Sequence, residues 1–256
     1  MKRVWDEVGP PLFGILVLVA LWTVLAAVTD SRGLPSPAEV WSSFLDGMGD
    51  GSLPEATAKT LLRLAFAFAA SIVIGVVIGV GMALNEFARR AVRPLVVALQ
   101  ITPFVAWLPL AVIWFGATER AVVFVTVVGA FPSMTLATLS ALRQVPPLLT
   151  RAGRTMGAEG PALYREVVVP AAMPGFVGGL QQAWGFAWKA LMAAELIIVA
   201  VTATGLGHRL ADERGDVPAL LAVLGVIVII GVAVDYLVFH RLDRRVRKRR
   251  GLLVEG

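Results

Sequence analysis

The chain alternates between long apolar runs and short polar connections. The runs lie at about 12–28, 60–84, 95–115, 121–142, 175–201 and 217–239. Each is close to the roughly 20 residues that a helix needs to cross about 30 Å of hydrocarbon. They are continuously apolar, which excludes the alternating strands of a membrane barrel. A lone segment in lipid can satisfy its own backbone only as a helix. The pattern therefore predicts an all-α membrane protein with six transmembrane helices, forming one domain over residues 1–256.

Composition sharpens this picture. Only 16% of the residues are charged and 57% are hydrophobic, whereas a soluble domain carries about 25% charged residues. So few charges cannot cover a solvated surface. Cysteine is absent, which excludes thiolate metal centres, and a count of only two histidines, His208 and His240, argues against a histidine metal centre. The basic start at residues 1–4 leads into a run whose end, Ala26-Ala27-Val28, flows into an ordinary loop. That predicts a retained first helix rather than a cleaved signal.

Lysine and arginine placement sets orientation. With the N-terminus inside, the inner side holds Lys2 and Arg3, then Arg89, Arg90 and Arg93, then Arg143, Arg151, Arg154 and Arg165. The tail adds Arg241, Arg244, Arg245, Arg247, Lys248, Arg249 and Arg250, which makes 16 of the chain's 23 basic residues. Arg32, Lys59, Arg63, Arg120, Arg209 and Arg214 fall outside, and Lys189 lies within a run. The prediction is N-in, C-in, with residues 142–174 in the cytoplasm. The net charge of +5 follows from this sidedness, and the basic tail suits an anionic inner leaflet rather than nucleic acid.

The polar connections carry their own signals. In the first outer segment Leu34-Pro35-Ser36-Pro37 precedes Val40, Trp41, Phe44 and Leu45, a helical spacing that predicts a short interfacial helix. The last outer segment, 202–216, contains Gly205-Leu206-Gly207 and several charges. Gly75 and Gly79 form a GxxxG pattern, which lets helices approach closely, within one subunit or between two. Pro103, Pro109 and Pro132 free carbonyls that neighbours must satisfy; such bends suit a pathway lining, with Pro103 a candidate, or simply kinked packing.

The fifth run carries two intramembrane charges, Lys189 and Glu195, each costly in lipid. Six residues apart, they lie on different faces and are poor partners for each other. Glu195, near the outer end, suits an anchor pairing with a helix terminus or an arginine, and it also remains a pathway candidate. Lys189, nearer mid-depth, either attracts an anion in transit or snorkels along its span. Trp184 and Trp188 share a face and serve a cavity or packing. No nucleotide-binding loop, catalytic set or metal spacing is present. The coupling carboxylates and repeats of a secondary transporter, and the filter of a channel, are also missing.

Residues 151–170 resemble the cytoplasmic signature of ABC importer permeases: an acidic residue, two alanines, three residues, glycine, nine residues, an aliphatic, one residue, then Leu-Pro. Here the frame reads Arg151-Ala152-Gly153, Gly157, Val167, Val169 and Pro170. The glycine-to-proline spacing is kept; Arg151, Gly153 and Val169 depart from the pattern. Leu61-Leu62-Arg63, Arg93-Pro94-Leu95, Thr102-Pro103, Leu108-Pro109-Leu110, Trp114-Phe115-Gly116 and Phe131-Pro132 extend the resemblance, as do Ala194-Glu195, Gly205-Leu206-Gly207 and Asp235. Together, over about 34–250, they look like the nitrate/sulfonate/taurine-type permeases.

This resemblance implies a type I ABC importer permease fold, with a coupling loop at 143–174 between the fourth and fifth helices. Gly157 would turn the chain between two short helices. Arg151, Ala152, Gly153, Gly157, Ala158, Glu159, Tyr164, Arg165, Val167 and Pro170 would serve the contact with a cytoplasmic ATPase. The implied partners are a second permease copy in a homodimer, two ATP-binding subunits carrying ATP and Mg, an extracytoplasmic substrate-binding protein and the lipid bilayer. The chain itself would need no cofactor and be no enzyme. It would move a small anion such as an aliphatic sulfonate, taurine or nitrate across a bacterial plasma (inner) membrane. The alternatives are another small organic solute, such as a thiamine precursor, or a channel or secondary carrier uncoupled from ATP.

Overall fold

A computed structural model describes residues 2–28, 33–198 and 204–249. The elements in order are α1 (Lys2–Val28), α2 (Pro37–Gly49), α3 (Ser52–Leu84), α4 (Glu86–Ile101) and, after a 3-10 turn at Phe104–Trp107, α5 (Leu108–Phe115). They continue with α6 (Glu119–Arg143), α7 (Pro147–Thr155) and α8 (Gly160–Leu163). A wide π turn at Tyr164–Val168 leads into α9 (Val169–Ile197). The last elements are α10 (Leu206–Asp212), α11 (Val217–Val234), a second π turn at Asp235–His240, and α12 (Arg241–Arg249). The described residues contain no strand.

Helix α6 is the centre, packed along its length against α3 on one side and α9 on the other. Glycine makes both contacts possible. A Cβ on Gly75 would lie 2.6 Å from Met134 Cβ, and one on Gly79 would lie 2.7 Å from Thr138 Cβ. The GxxxG pattern of α3 thus serves packing within the chain. A second one, Gly175 and Gly179 of α9, does the same against α6: Gly179 faces Ala137, and a Cβ on Gly175 would sit 3.3 Å from Ala141 Cβ. Thr126, Thr135 and Thr138 are buried in this seam. Each donates its hydroxyl to a carbonyl one turn back at 2.8 Å, so no polar atom of theirs is left for lipid.

Two clusters flank the seam. One gathers Leu64, Val125, Ala187 and Leu191, and the other joins Phe44 of α2 to Leu53, Leu206, Val223 and Ile227. The short helix expected in the first outer segment is α2. It opens on a capping box in which Ser36 and Glu39 bond reciprocally, with Pro37 in the first turn. The outward faces of α1, α3 and α11 expose Phe13, Leu16, Phe66, Val77, Ile229 and Val232, as a lipid solvent requires.

Several sequence boundaries shift. Among the described residues three helices are long and apolar enough to cross a membrane, namely Ser52–Leu84, Glu119–Arg143 and Val217–Val246, and Phe13–Val28 is a shorter apolar stretch. Helix α9 is long enough but diluted by Gln181, Gln182, Lys189 and Glu195. The expected end of its run, 199–201, lies outside the described residues. The third run, expected to be continuous over 95–115, is broken: α4 and the segment Phe104–Phe115 meet at 97°. Thr102 precedes a proline, which disfavours helical backbone; it is extended, with ψ 124, and Pro103 starts the next turn. The second helix starts at Ser52 rather than near 60, so Lys59 and Arg63 sit on α3.

The glycine seam yields a matched test. Gly179→Ala is expected to destabilise the protein by about 1–3 kcal/mol, because the methyl meets Ala137. Gly81 has open space around it, so Gly81→Ala should be neutral or stabilise by up to about 1 kcal/mol. Thermal unfolding in detergent measures both, and equal midpoints for the two variants would reject the seam.

Candidate functional site

The segment after α6 folds into a compact hairpin. Pro147 opens α7, and the helix closes in a Schellman motif: Ala158 N–H donates to the Gly153 carbonyl at 2.9 Å and Gly157 N–H to the Arg154 carbonyl at 2.9 Å. Gly157 sits at φ +87, with nothing near where a Cβ would project. Glycine is needed there for its backbone alone. Gly153 is needed for space, since a Cβ would lie 2.9 Å from Val167 Cγ2 and 3.0 Å from Leu163 Cδ1. Glycine in place of alanine at this position is what lets α7 cross the returning chain.

The returning strand of the hairpin is not a separate short helix, as the signature implied. From Gly160 the backbone stays helical through α8 and the π turn into α9, ending at Ile197. Only the part of 143–174 before Gly160 is truly a connection. The π turn widens the helix just before Pro170, whose ring would otherwise press on the Glu166 carbonyl.

Most of the signature residues reach the hairpin surface. Arg151, Ala152, Glu159, Tyr164 and Arg165 are exposed, Ala158, Val167 and Pro170 are half-buried, and Gly153 is inside. Arg154 and Met156 share this surface, and Met156 is 87% exposed. No salt bridge ties Arg151, Arg154 or Arg165 to another described residue.

At the opposite end of α9 lies a buried polar clamp. Glu195 is 3% exposed and Arg63 9%. Arg63 Nη1 donates to Glu195 Oε1 at 2.8 Å and to the Thr204 carbonyl at 3.0 Å, while its Nη2 reaches Glu119 Oε1 at 2.8 Å. Thr60 donates to the Glu195 carboxylate, at 2.9 Å from Oε2, and accepts from the Leu206 N–H at 2.9 Å. The Gly207 N–H, in the first turn of α10, completes the set at 3.0 Å from Oε2. A Cβ on Gly205 would lie 2.7 Å from Glu195 Oε2 and one on Gly207 2.5 Å from Glu195 Cβ. This is why Gly205-Leu206-Gly207 carries glycine on both sides. The anchor expected of Glu195 thus has both an arginine and a helix terminus as partners. The sequence reading missed Arg63, which it had counted with the outer loops; the signal was Thr60 and Arg63 sharing a face of α3.

The remaining pathway candidates separate. Trp184 packs edge-on to Phe68 at 5.7 Å and stacks on Trp188 at 6.0 Å, and it also meets Phe239 at 5.9 Å. Both indoles are used for packing, which joins α9 to α3 and to the π turn after α11. Pro103 is exposed at the break after α4. Lys189 is exposed and has no partner among the described residues. At the other end of α4, Glu86 bonds both Arg89 and Arg90. The Arg89 guanidinium, then that of Arg90, holds the Glu86 carboxyl down at about 2, so this group stays ionised throughout the physiological range.

Residues 71–248 match the family described as binding-protein-dependent transport system inner membrane component. The taurine transport system permease protein of Escherichia coli (strain K12) is 29% identical over 244 residues, spanning 93% of this chain and 88% of its own length. The nitrate import permease protein of Synechocystis sp. is 28% identical over 236 residues, spanning 88% of this chain and 84% of its own. Among solved structures, the MetNI methionine ABC transporter in inward-facing conformations shares the fold. It has a TM-score of 0.63 at 23% identity, covering 76% of this chain and 96% of that one.

The clamp can be tested by a double-mutant cycle. Arg63→Met should cost about 3–5 kcal/mol, because it strands a buried carboxylate. Adding Glu195→Gln should recover part of that loss, since the amide oxygen still accepts from Thr60 and Gly207. Additive losses in thermal or denaturant unfolding would show that the two residues do not interact.

Proposed function

The chain belongs to the family of binding-protein-dependent transport system inner membrane components, and from that premise we propose that two copies of it form the path by which an ATP-driven importer brings a small oxyanion into the cytoplasm. It is a multi-pass inner-membrane permease of the type I ABC importer fold. ATP hydrolysis belongs to separate subunits seated beneath it, and a substrate-binding protein delivers cargo from outside. The six-span, N-in, C-in arrangement rests on the sidedness of lysine and arginine.

The observation that carries the coupling role is the hairpin of α7 and the start of α9. Its turn is fixed by Gly157, its crossing by Gly153, and its outer surface offers unpaired arginines beside Tyr164 and Met156. Such a surface suits an acidic, partly apolar groove on the ATPase, and Arg151 fits it where the family pattern carries a carboxylate. Because the helix is unbroken from Gly160 to Ile197, a push on Tyr164 or Arg165 is delivered to Glu195 and the outer clamp. Alternating access then needs only that the ATPase contact the hairpin differently with and without ATP. The oxyanion assignment draws on the taurine and nitrate permeases among the relatives and on the unpaired Lys189 of α9.

Reconstitution with the cognate ATPase and binding protein in liposomes tests this reading. Gly157→Pro cannot adopt φ +87. It should abolish ATP-driven uptake of taurine or nitrate while thermal stability changes little. Gly157→Asn tolerates the left-handed region and should keep most of the uptake. Wild-type coupling in Gly157→Pro would reject the docking role, and uptake without any ATPase would identify a carrier or channel instead.

A further inference from the structure

A cavity of about 270 Å³ opens partway along the bundle between α4, α6 and α9. Gln100, Ser133 and Gln182 line it, one from each helix. Ser133 is 1% exposed, and its hydroxyl has no hydrogen-bond partner. Neither Gln100 nor Gln182 bonds to another described residue. The adjacent Gln181, in contrast, donates to Asp235 Oδ1 at 2.8 Å and is used structurally. The buried, idle hydroxyl of Ser133 is costly unless something fills it, and the amides of Gln100 and Gln182 border the same cavity. The small residues Gly175, Gly179, Ala137 and Ala141 form part of the wall around them.

The cavity does not end there. A second one, of about 540 Å³, shares Leu136, Ser140 and Gln144 with the first and carries Arg89, Arg93 and Arg143. No acidic residue lines either cavity. Glu86 neutralises part of this arginine group through Arg89 and stands 3.8 Å from Arg143, but Arg93 has no acidic partner among the described residues. In the other direction, Lys189 follows Gln182 by seven residues, two turns along the same face of α9 and about 10 Å away. One face therefore runs from an unpaired lysine, through three neutral donors, to an arginine-lined mouth.

We propose that this face is the substrate's route through the permease, with Gln100, Ser133 and Gln182 as a mid-membrane station for an oxyanion such as a sulfonate or nitrate. The inference rests on the importer reading above and deepens it. Amide N–H and hydroxyl groups donate to sulfonate or nitrate oxygens without fixing a counter-charge beside them. A neutral station holds the anion long enough to be occluded and weakly enough to be released. Lys189 draws the anion from the outer side, and the arginines below offer it the next favourable position. A second copy presenting the same face closes the route.

The chain contains no cysteine, so an introduced one is its only thiol. In the assembled complex in liposomes, Gln100→Cys and Gln182→Cys should react with methanethiosulfonate ethylsulfonate, itself a sulfonate, and saturating taurine with ATP and binding protein should slow that reaction. Val77→Cys, on the exposed apolar face of α3, should neither react nor change uptake. Gln182→Glu should lower taurine and nitrate uptake per ATP hydrolysed by about tenfold, through like-charge repulsion in the station. Unreactive thiols at 100 and 182, or wild-type uptake by Gln182→Glu in a complex whose wild type carries taurine or nitrate, would overturn the station and leave the importer reading standing. ATP-driven import of a solute with neither a sulfonate nor a nitrate group, with neither taurine nor nitrate carried, would remove the oxyanion assignment and the station together.

Discussion

The buried pair of Arg63 and Glu195 is the interaction on which the outer half of this bundle depends. In an apolar surrounding neither charge is tolerable alone, and together they are tolerable only if every remaining lone pair and proton is used. The chain supplies partners for the pair from several sides at once. Thr60 and Arg63 come from the same face of α3, Glu195 from the end of α9, and the backbone N–H groups from the first turn of α10. The two glycines of Gly205-Leu206-Gly207 are small because the carboxylate must be approached by backbone. Glu119 reaches in from the start of α6, so the clamp joins four helices and sets their register at one level of the bundle.

Below that level, register is kept by shape instead of charge. Gly75 and Gly79 fit α3 to α6, and Gly175 and Gly179 fit α9 to α6. Without a hydrophobic force between helices in lipid, such close backbone approach is what holds them. The consequence is mechanical. With α3, α6 and α9 locked by glycine below and by an ion pair above, the hairpin of α7 is attached to a stiff body. On the coupling role proposed above, a movement of the hairpin would be carried along α9, because the described helix has no break between Gly160 and Ile197.

How much of this was legible in the sequence follows from which forces act locally. Apolar runs and basic residues report on solvent, one residue at a time, so the all-helical membrane fold could be read directly. Gly157 was legible through the spacing it shares with the permease signature, and Glu195 because an intramembrane carboxylate must have a partner. Which partner it has depends on how α3 crosses α9, and Arg63 looked like a loop residue until that crossing was known. The break at Thr102-Pro103 was written in the sequence, but run length alone hid it behind continuous apolarity. Trp184 and Trp188 had the spacing of a lining; the neighbours that turned them into packing, Phe68 and Phe239, lie far away in sequence.

The same reasoning bears on the solute route proposed above. A full charge buried in a membrane protein is more economically neutralised within the fold, as Glu195 is, than left waiting for a ligand. A neutral donor imposes a smaller penalty when empty, so it can stand idle between transport cycles. Gln100, Ser133 and Gln182 are unremarkable when read singly along the chain, and only the convergence of α4, α6 and α9 brings them to one cavity. Full charges then belong at the ends of such a route, where water still shares the cost; the arginines of α4 and α6 line its wider cavity, and Lys189 lies two turns beyond Gln182 on α9. A permease for an anion is expected to place its strongest attraction at the entrances and its weakest at the middle, since the middle must let go.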